Sequence, residues 1–255
     1  MGLAGCHGKS ATVVPGASPA PAERPSEAAY RAPPVLTSAT LLAGGRVRLT
    51  GLAGAGDRVR LASPAGAVAY ASAGASGVWT FVLAAPAAPR LFGLAMIDNG
   101  RPIQSEGYVA VTPRGTAAQL RAGAGALVLG DPHAGPAILA VDFDSKGGTV
   151  VSGRAAPHAV VDLWVDGARR GRAPTDAQGS FSMPLDEPLV FTDHQLEIAE
   201  GARRADAHPR LAPAEALTGG PYRATSTPEG WRIDWTTPGG GMQTTLLLAQ
   251  NGGAA

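Results

Sequence analysis

Apolar and polar residues alternate with a period of two in several short stretches of the chain. In VVDLWVD, residues 160–166, Val161, Leu163 and Val165 fall on one side of an extended backbone, and Asp162, Trp164 and Asp166 fall on the other. Trp79 and Phe81 share a side in VWTFVL, as do Trp231, Ile233 and Trp235 in WRIDW. This periodicity marks strands with one buried face. Turn residues separate the stretches: Asp98-Asn99-Gly100, Asp166-Gly167, the region of Gly201, Pro228-Glu229-Gly230 and Pro238-Gly239-Gly240-Gly241. Asn-Gly and Asp-Gly tolerate the positive φ that tight hairpins require. Glycine and proline interrupt most windows long enough for a helix, and an interior proline costs a helix about 3 kcal/mol. The chain is therefore predicted to be all-β and antiparallel.

The strand pattern also repeats. A shift of 102 positions lays the segment beginning at Pro33 onto the one beginning at Gly135. Leu36 then meets Ile138, Gly45 meets Gly147, Gly51 meets Gly153, and Val59 and Leu61 meet Val161 and Leu163. Further on, Gly77-Val78-Trp79 meets Gly179-Ser180-Phe181, Leu94 meets Leu196 and Arg101 meets Arg203. After Pro213 the correspondence ends. There the segment PYRATSTPEGWRIDWTTPGGGMQTTLLLAQ predicts a three-stranded meander, too small to be stable alone and expected to pack on the second repeat or on a partner.

The repeated pattern, strand-Gly-x-Ala followed by VxL, a Gly turn and DxxGxF, resembles the bacterial Ig-like modules found in tandem in envelope, adhesion and peptidoglycan-associated proteins. The resemblance covers residues 33 to about 112 and 135 to about 212. It implies two antiparallel sandwiches and says little about function. The first copy has Ala73-Gly74-Ala75-Ser76-Gly77 where the second has Thr175-Asp176-Ala177-Gln178-Gly179, which leaves the geometry of the first turn open. The expected organisation is an N-terminal tether over 1–32, Ig-like units over 33–113 and 135–212, and a C-terminal meander over 213–255. Residues 114–134, containing Leu120, Leu127 and Leu129, read equally well as an extra hairpin or as an interdomain linker.

Composition narrows the function classes. The net charge is +1, with no long basic run to support nucleic-acid binding. A single cysteine excludes an internal disulfide or a multi-cysteine zinc site. The high alanine content, with Lys9 and Lys146 the only lysines, reads as a coding bias, so alanine carries no helix signal. The lone thiol sits in Leu3-Ala4-Gly5-Cys6, which resembles a bacterial lipobox, and a tract bearing Pro15, Pro19, Pro21 and Pro25 follows it. That resemblance implies lipidation of Cys6, membrane anchoring in the cell envelope, and an extended tether facing the periplasm or surface. It also implies a start codon upstream of Met1, since only five residues precede the cysteine. An incidental surface thiol on a cytoplasmic protein is the alternative.

Candidate chemistry is sparse. His7, His133, His158, His194 and His208 are scattered, and HExxH, GxSxG and SxxK patterns are absent. Asp142-Phe143-Asp144-Ser145-Lys146-Gly147 is faintly like a calcium loop, but a lysine occupies a ligand position and no acidic residue closes it. A strand with solvated aspartates fits better, and neither metal nor cofactor is expected. Trp164 has outward parity, where the first repeat has Ala62. It is either a contact for glycan, peptide or a neighbouring domain, or a side chain covered by the meander. Trp231 and Trp235 are either meander core or an aromatic binding platform. The functional expectation is a non-catalytic, envelope-tethered binding or spacer lipoprotein, with an envelope protein or glycan as partner. The alternatives are an accessory subunit of an envelope or surface-appendage assembly, or an enzyme or solute-binding protein with a site between the second unit and the meander.

Overall fold

The computed structural model describes Met1, residues 31–130 and residues 135–249. Cys6 and most of the tether lie outside the described residues. The described residues from Ala32 onward form one compact unit. Among the described residues it is all-β, as the alternation predicts.

The first sandwich contains β1 (Val35–Leu42), β2 (Arg46–Leu52), β3 (Arg58–Ala62), β4 (Val68–Ser72), β5 (Val78–Ala84), β6 (Arg90–Asp98) and β7 (Arg101–Gln104). Three further strands follow: β8 (Tyr108–Val111), β9 (Ala117–Leu120) and β10 (Leu127–Leu129). One sheet has the order β1-β2-β5, and the other runs β10-β9-β8-β6-β3-β4, with β7 also paired to β6. Val47, Leu49, Val59, Leu61, Trp79, Phe81 and Leu94 fill the space between them. The segment read as either hairpin or linker thus supplies two strands, β9 and β10, that widen this sheet.

The second sandwich repeats the plan with β11 (Ala137–Asp144), β12 (Thr149–Arg154), β13 (Val160–Val165), β14 (Ala168–Pro174), β15 (Ser180–Pro184), β16 (Leu196–Glu200) and β17 (Arg203–Ala207). Its sheets are β15-β12-β11 and β14-β13-β16-β17. In the β1-β2-β5 ladder and the first pairs of the β3–β4 hairpin the spacing of 102 survives at the level of single paired residues, whereas Leu61 pairs with Leu94 and Leu163 with Ile198, a shift of two. Leu49 faces Phe81 and Val151 faces Met183; Leu61 faces Ala69 and Leu163 faces Gly171. Even the register irregularity recurs, between Leu36 and Ser38 in one copy and between Ile138 and Ala140 in the other.

Gly51 and Gly153 owe their places to close approach. A Cβ at Gly51 would lie 2.0 Å from the Val35 carbonyl oxygen and 2.1 Å from the Trp79 ring; at Gly153 it would lie 2.1 Å from the Ala137 oxygen and 2.6 Å from Phe181. In each copy an aromatic ring therefore lies over a glycine on the adjacent strand, filling the volume a side chain would take. The hairpins use left-handed pairs as predicted: Asn99 and Gly100 have φ of 48° and 79°, and Asp166 and Gly167 have 51° and 79°. The turn left open in the first copy has the same backbone bonds as its counterpart. Gly74 and Gly77 pair as Asp176 and Gly179 do, with the Asp176 carboxylate adding bonds from the Gln178 and Ser180 amides.

The meander comprises β18 (Tyr222–Thr227), β19 (Gly230–Thr236) and β20 (Met242–Leu248). β20 pairs antiparallel with β11, extending that sheet to the six-stranded order β15-β12-β11-β20-β19-β18. Its other face packs on the first sandwich. Leu91, Ala110, Ala118, Leu120 and Ala126 from that side meet Ala140, Ile233, Trp235 and Leu247 in a third apolar core. Strands β9 and β11 are consequently buried on both faces. The alanines at these positions let two sheets approach closely, and Tyr108 meets Trp235 edge-on at 5.8 Å between centroids.

Candidate functional site

Among the described residues the third core brings together strands that have no counterpart strand in the other copy, β8–β10 on one side and the meander on the other, with Leu91 of β6 and Ala140 of β11. Its polar centre is Asp142 on β11. The side chain points away from the core of its own sandwich, where parity predicts solvent, yet Asp142 is 1% exposed. The expectation of solvated aspartates is corrected here: the β9–β10 turn and β20 roof over the outward face of β11. The Ala126 amide donates to Asp142 Oδ2 at 2.7 Å, the Thr245 hydroxyl donates to Oδ1, and the Gln243 amide approaches Oδ1 at 3.4 Å. Burial pushes the Asp142 carboxyl up from 3.8 to about 6, against the lowering pull of those donors and of the nearby Arg121 guanidinium. Arg121 itself donates to the Gly125 carbonyl oxygen at 2.9 Å and to Ser182 Oγ on β15 at 3.1 Å. Asp144, by contrast, is exposed and caps the β11–β12 turn by accepting the Lys146 and Gly148 amides.

Beside this core an open cleft of about 600 Å³ runs between the first sandwich and the meander. Its floor is Leu139 and Leu247, its walls are Val128 and Trp231, and Arg114 and Ser226 stand at its rim. Trp231 is half-buried there, presenting part of its ring to the cleft. Trp235 shares the strand and the face but is fully buried, with its indole N–H donating to Thr245 Oγ1 at 3.1 Å. It has no surface for a ligand and belongs to the core. Position along β19 separates the two: Trp235 lies opposite Tyr108, whereas Trp231 lies toward the open end.

Trp164 is on a different surface. It sits half-buried on the outer face of the β14-β13-β16-β17 sheet, over a shallow depression of about 290 Å³ with Gln195, Glu197 and Arg204. The Arg204 guanidinium lies 5.5 Å from the Trp164 ring centroid and is ion-paired to Glu197. The cover that parity led us to expect from the meander is supplied instead by this arginine, because the meander is added to the opposite sheet. The three candidate tryptophans thus occupy a cleft, a core and a separate sheet face.

Two further polar clusters hold the fold. His194 is buried with both ring nitrogens engaged, Nδ1 to Asp166 Oδ2 at 2.7 Å and Nε2 to the Val190 carbonyl oxygen at 2.9 Å. Burial works to raise the Asp166 carboxyl, but the Gln195 amide, His194 and Arg170 outweigh it and hold the group below its ordinary value. Asp234 on β19 is 1% exposed. It accepts from Arg232 Nε and Arg223 Nη2, each at 2.9 Å, and from Thr244 Oγ1 at 2.7 Å. Burial pushes this carboxyl up as well, but those donors win and keep it depressed. Arg232 also donates to the Ala212 carbonyl oxygen, tying the meander to the segment that leads into it. Among the described residues no group of three or more His, Cys, Asp and Glu side chains is arranged to hold a metal ion. The sequence did not single out Asp142 or Asp234 as structural anchors. The signal available was a run of alanines, at 110, 118 and 140, where solvated strand faces ordinarily carry polar groups.

No family model matches the chain. No curated protein matches it. Among solved structures it is similar to the central fibronectin-III array of RIM-binding protein, at 12% identity and a TM-score of 0.29, over 85% of this chain and 88% of that chain. A likeness this loose leaves function to be argued from the site.

Proposed function

We propose that the chain is a non-catalytic binding and spacer module of a bacterial cell envelope, held to a membrane through a lipid on Cys6. The observation that carries the reading is the third apolar core. Tandem sandwiches joined by a bare linker move independently, whereas here Trp235, Ile233, Leu91 and Leu120 lock the two into one unit. A unit of that kind holds a binding surface at a fixed distance and orientation, which suits display from an anchored tether. The cleft beside Trp231 is the surface the reading assigns to a partner, because all three parts of the fold contribute to its walls. An aromatic wall with hydroxyls and one arginine at the rim suits an envelope glycan or an extended peptide. His194 has both nitrogens committed to structural bonds, which supports a non-catalytic role for that buried group.

The test is fractionation of cells expressing the protein from its own locus. The protein is expected in the membrane fraction, metabolically labelled by an alkyne fatty acid, and Cys6→Ala is expected to abolish the label and release it. Recovery in the cytosol with no label would refute the anchoring. Retention of envelope cross-links by a Trp231→Ala variant carrying the photo-cross-linker at the rim would refute the assignment of the cleft.

A further inference from the structure

The two sandwiches share one register in the β1-β2-β5 and β15-β12-β11 ladders and differ inside. In the second, Met183 on β15 reaches across so that its Sδ lies 2.4 Å from where a Cβ on Gly171 would be, filling the space between β14 and the opposite sheet. The equivalents in the first sandwich are Phe81 and Ala69, and there the space stays open. An open-mouthed pocket of about 180 Å³ lies between the β3–β4 hairpin and the end of β5, with exposed Val68 and Ala84 at its edge. Leu61, Ala69, Leu83, Phe92 and Val111 line it. Its one charged lining residue is Arg90, the first residue of β6, exposed at the mouth and set 5.3 Å from the Phe92 ring centroid. Among the described residues Arg90 forms no ion pair with a carboxylate, and it also lines an open cleft of about 430 Å³.

From this arrangement we infer that the first sandwich binds a medium-chain aliphatic carboxylate, with the chain in the cavity and the carboxylate on Arg90. A dry apolar cavity of about 150 Å³ is enough to hold a six-carbon ring. The slightly larger volume here fits a hydrocarbon of about six to eight carbons. An apolar lining offers the tail no hydrogen bond, so selectivity for the head rests on the guanidinium, whose planar fork suits a carboxylate bidentately. In the second sandwich Met183 occupies the corresponding space beside Gly171, so a bulkier side chain on the neighbouring strand is enough to fill it. The inference stands apart from the envelope reading and survives if that reading fails.

The experiment is titration of the full chain with butanoate, hexanoate, octanoate, 1-octanol and octylammonium, followed by calorimetry and by backbone amide shifts. Affinity is expected to rise about fourfold per methylene until the cavity is full and to level off thereafter. Shifts are expected at Leu61, Phe92 and Val111. Octanol should bind at least tenfold more weakly than octanoate, and octylammonium not at all. Arg90→Gln, at an exposed position, should bring octanoate down to the level of octanol and leave octanol unchanged. Ala69→Leu should fill the cavity and abolish both. Absence of any chain-length dependence, or an octanoate affinity indifferent to Arg90→Gln, would overturn the inference.

Discussion

Replacing Asp142 with asparagine tests whether the junction between the sandwiches is a true interior. The carboxyl is pushed from 3.8 to about 6 in the folded chain, so folding takes up a proton wherever the pH lies between those values. A group whose folded value is raised binds more protons when folded, and its contribution to stability therefore grows as pH falls. The full difference corresponds to about 3 kcal/mol, at 1.36 kcal/mol per unit. The native protein should therefore gain about 1 kcal/mol from this group between pH 7.5 and pH 5, and about 2 kcal/mol by pH 4. Asp142→Asn removes the titration and keeps an acceptor for the Ala126 amide. The difference in unfolding free energy between the variant and the wild type should therefore shift against the variant by about 1 kcal/mol between pH 7.5 and pH 5. Urea unfolding followed by tryptophan emission reads this directly, since Trp235 shares the Thr245 hydroxyl with Asp142. A difference between the two proteins that does not change over that range would refute the argument, because it would mean that water reaches the carboxylate and the sheets do not seal.

Asp234 should behave in the opposite sense. Its depressed carboxyl adds stability that is present above its ordinary value and is lost as pH falls through the folded value, so acid unfolding below about pH 4 should be blunted in Asp234→Asn. At neutral pH that variant leaves Arg232 and Arg223 without the carboxylate they share, and a loss of about 3 kcal/mol is expected from denaturant midpoints. Gly153→Ala should cost at least about 1–3 kcal/mol by thermal unfolding, since its methyl would run into the Ala137 oxygen and the Phe181 ring together. Gly167→Ala, in open space but at φ of 79°, should cost only about 1 kcal/mol. Trp164→Ala should leave the melting temperature within about a degree or two, because its cover is one ion-paired arginine at the surface.

Sequence and tertiary structure divide the work unevenly. Period-two alternation, the 102-residue spacing, the Asn-Gly and Asp-Gly turns and the matching of Gly51 with Gly153 were legible because each is set by contacts within one strand pair or across one sandwich. Those interactions leave a mark at fixed offsets along the chain. The spacing even carried the irregularity at Leu36 and Ile138. What the chain did not disclose was the fate of outward faces. Parity puts Asp142, Ala140 and Ala110 outside their own sandwich, and nothing local distinguishes water on that side from a second layer of protein. Only docking of β8–β10 against the meander made that side an interior, raising a carboxyl, burying Trp235 and leaving Trp231 at the edge of a cleft. The same limit applies to the empty space beside Ala69: pairwise patterning says which residues face inward, but whether their volumes fill the gap is settled only when both sheets are in place.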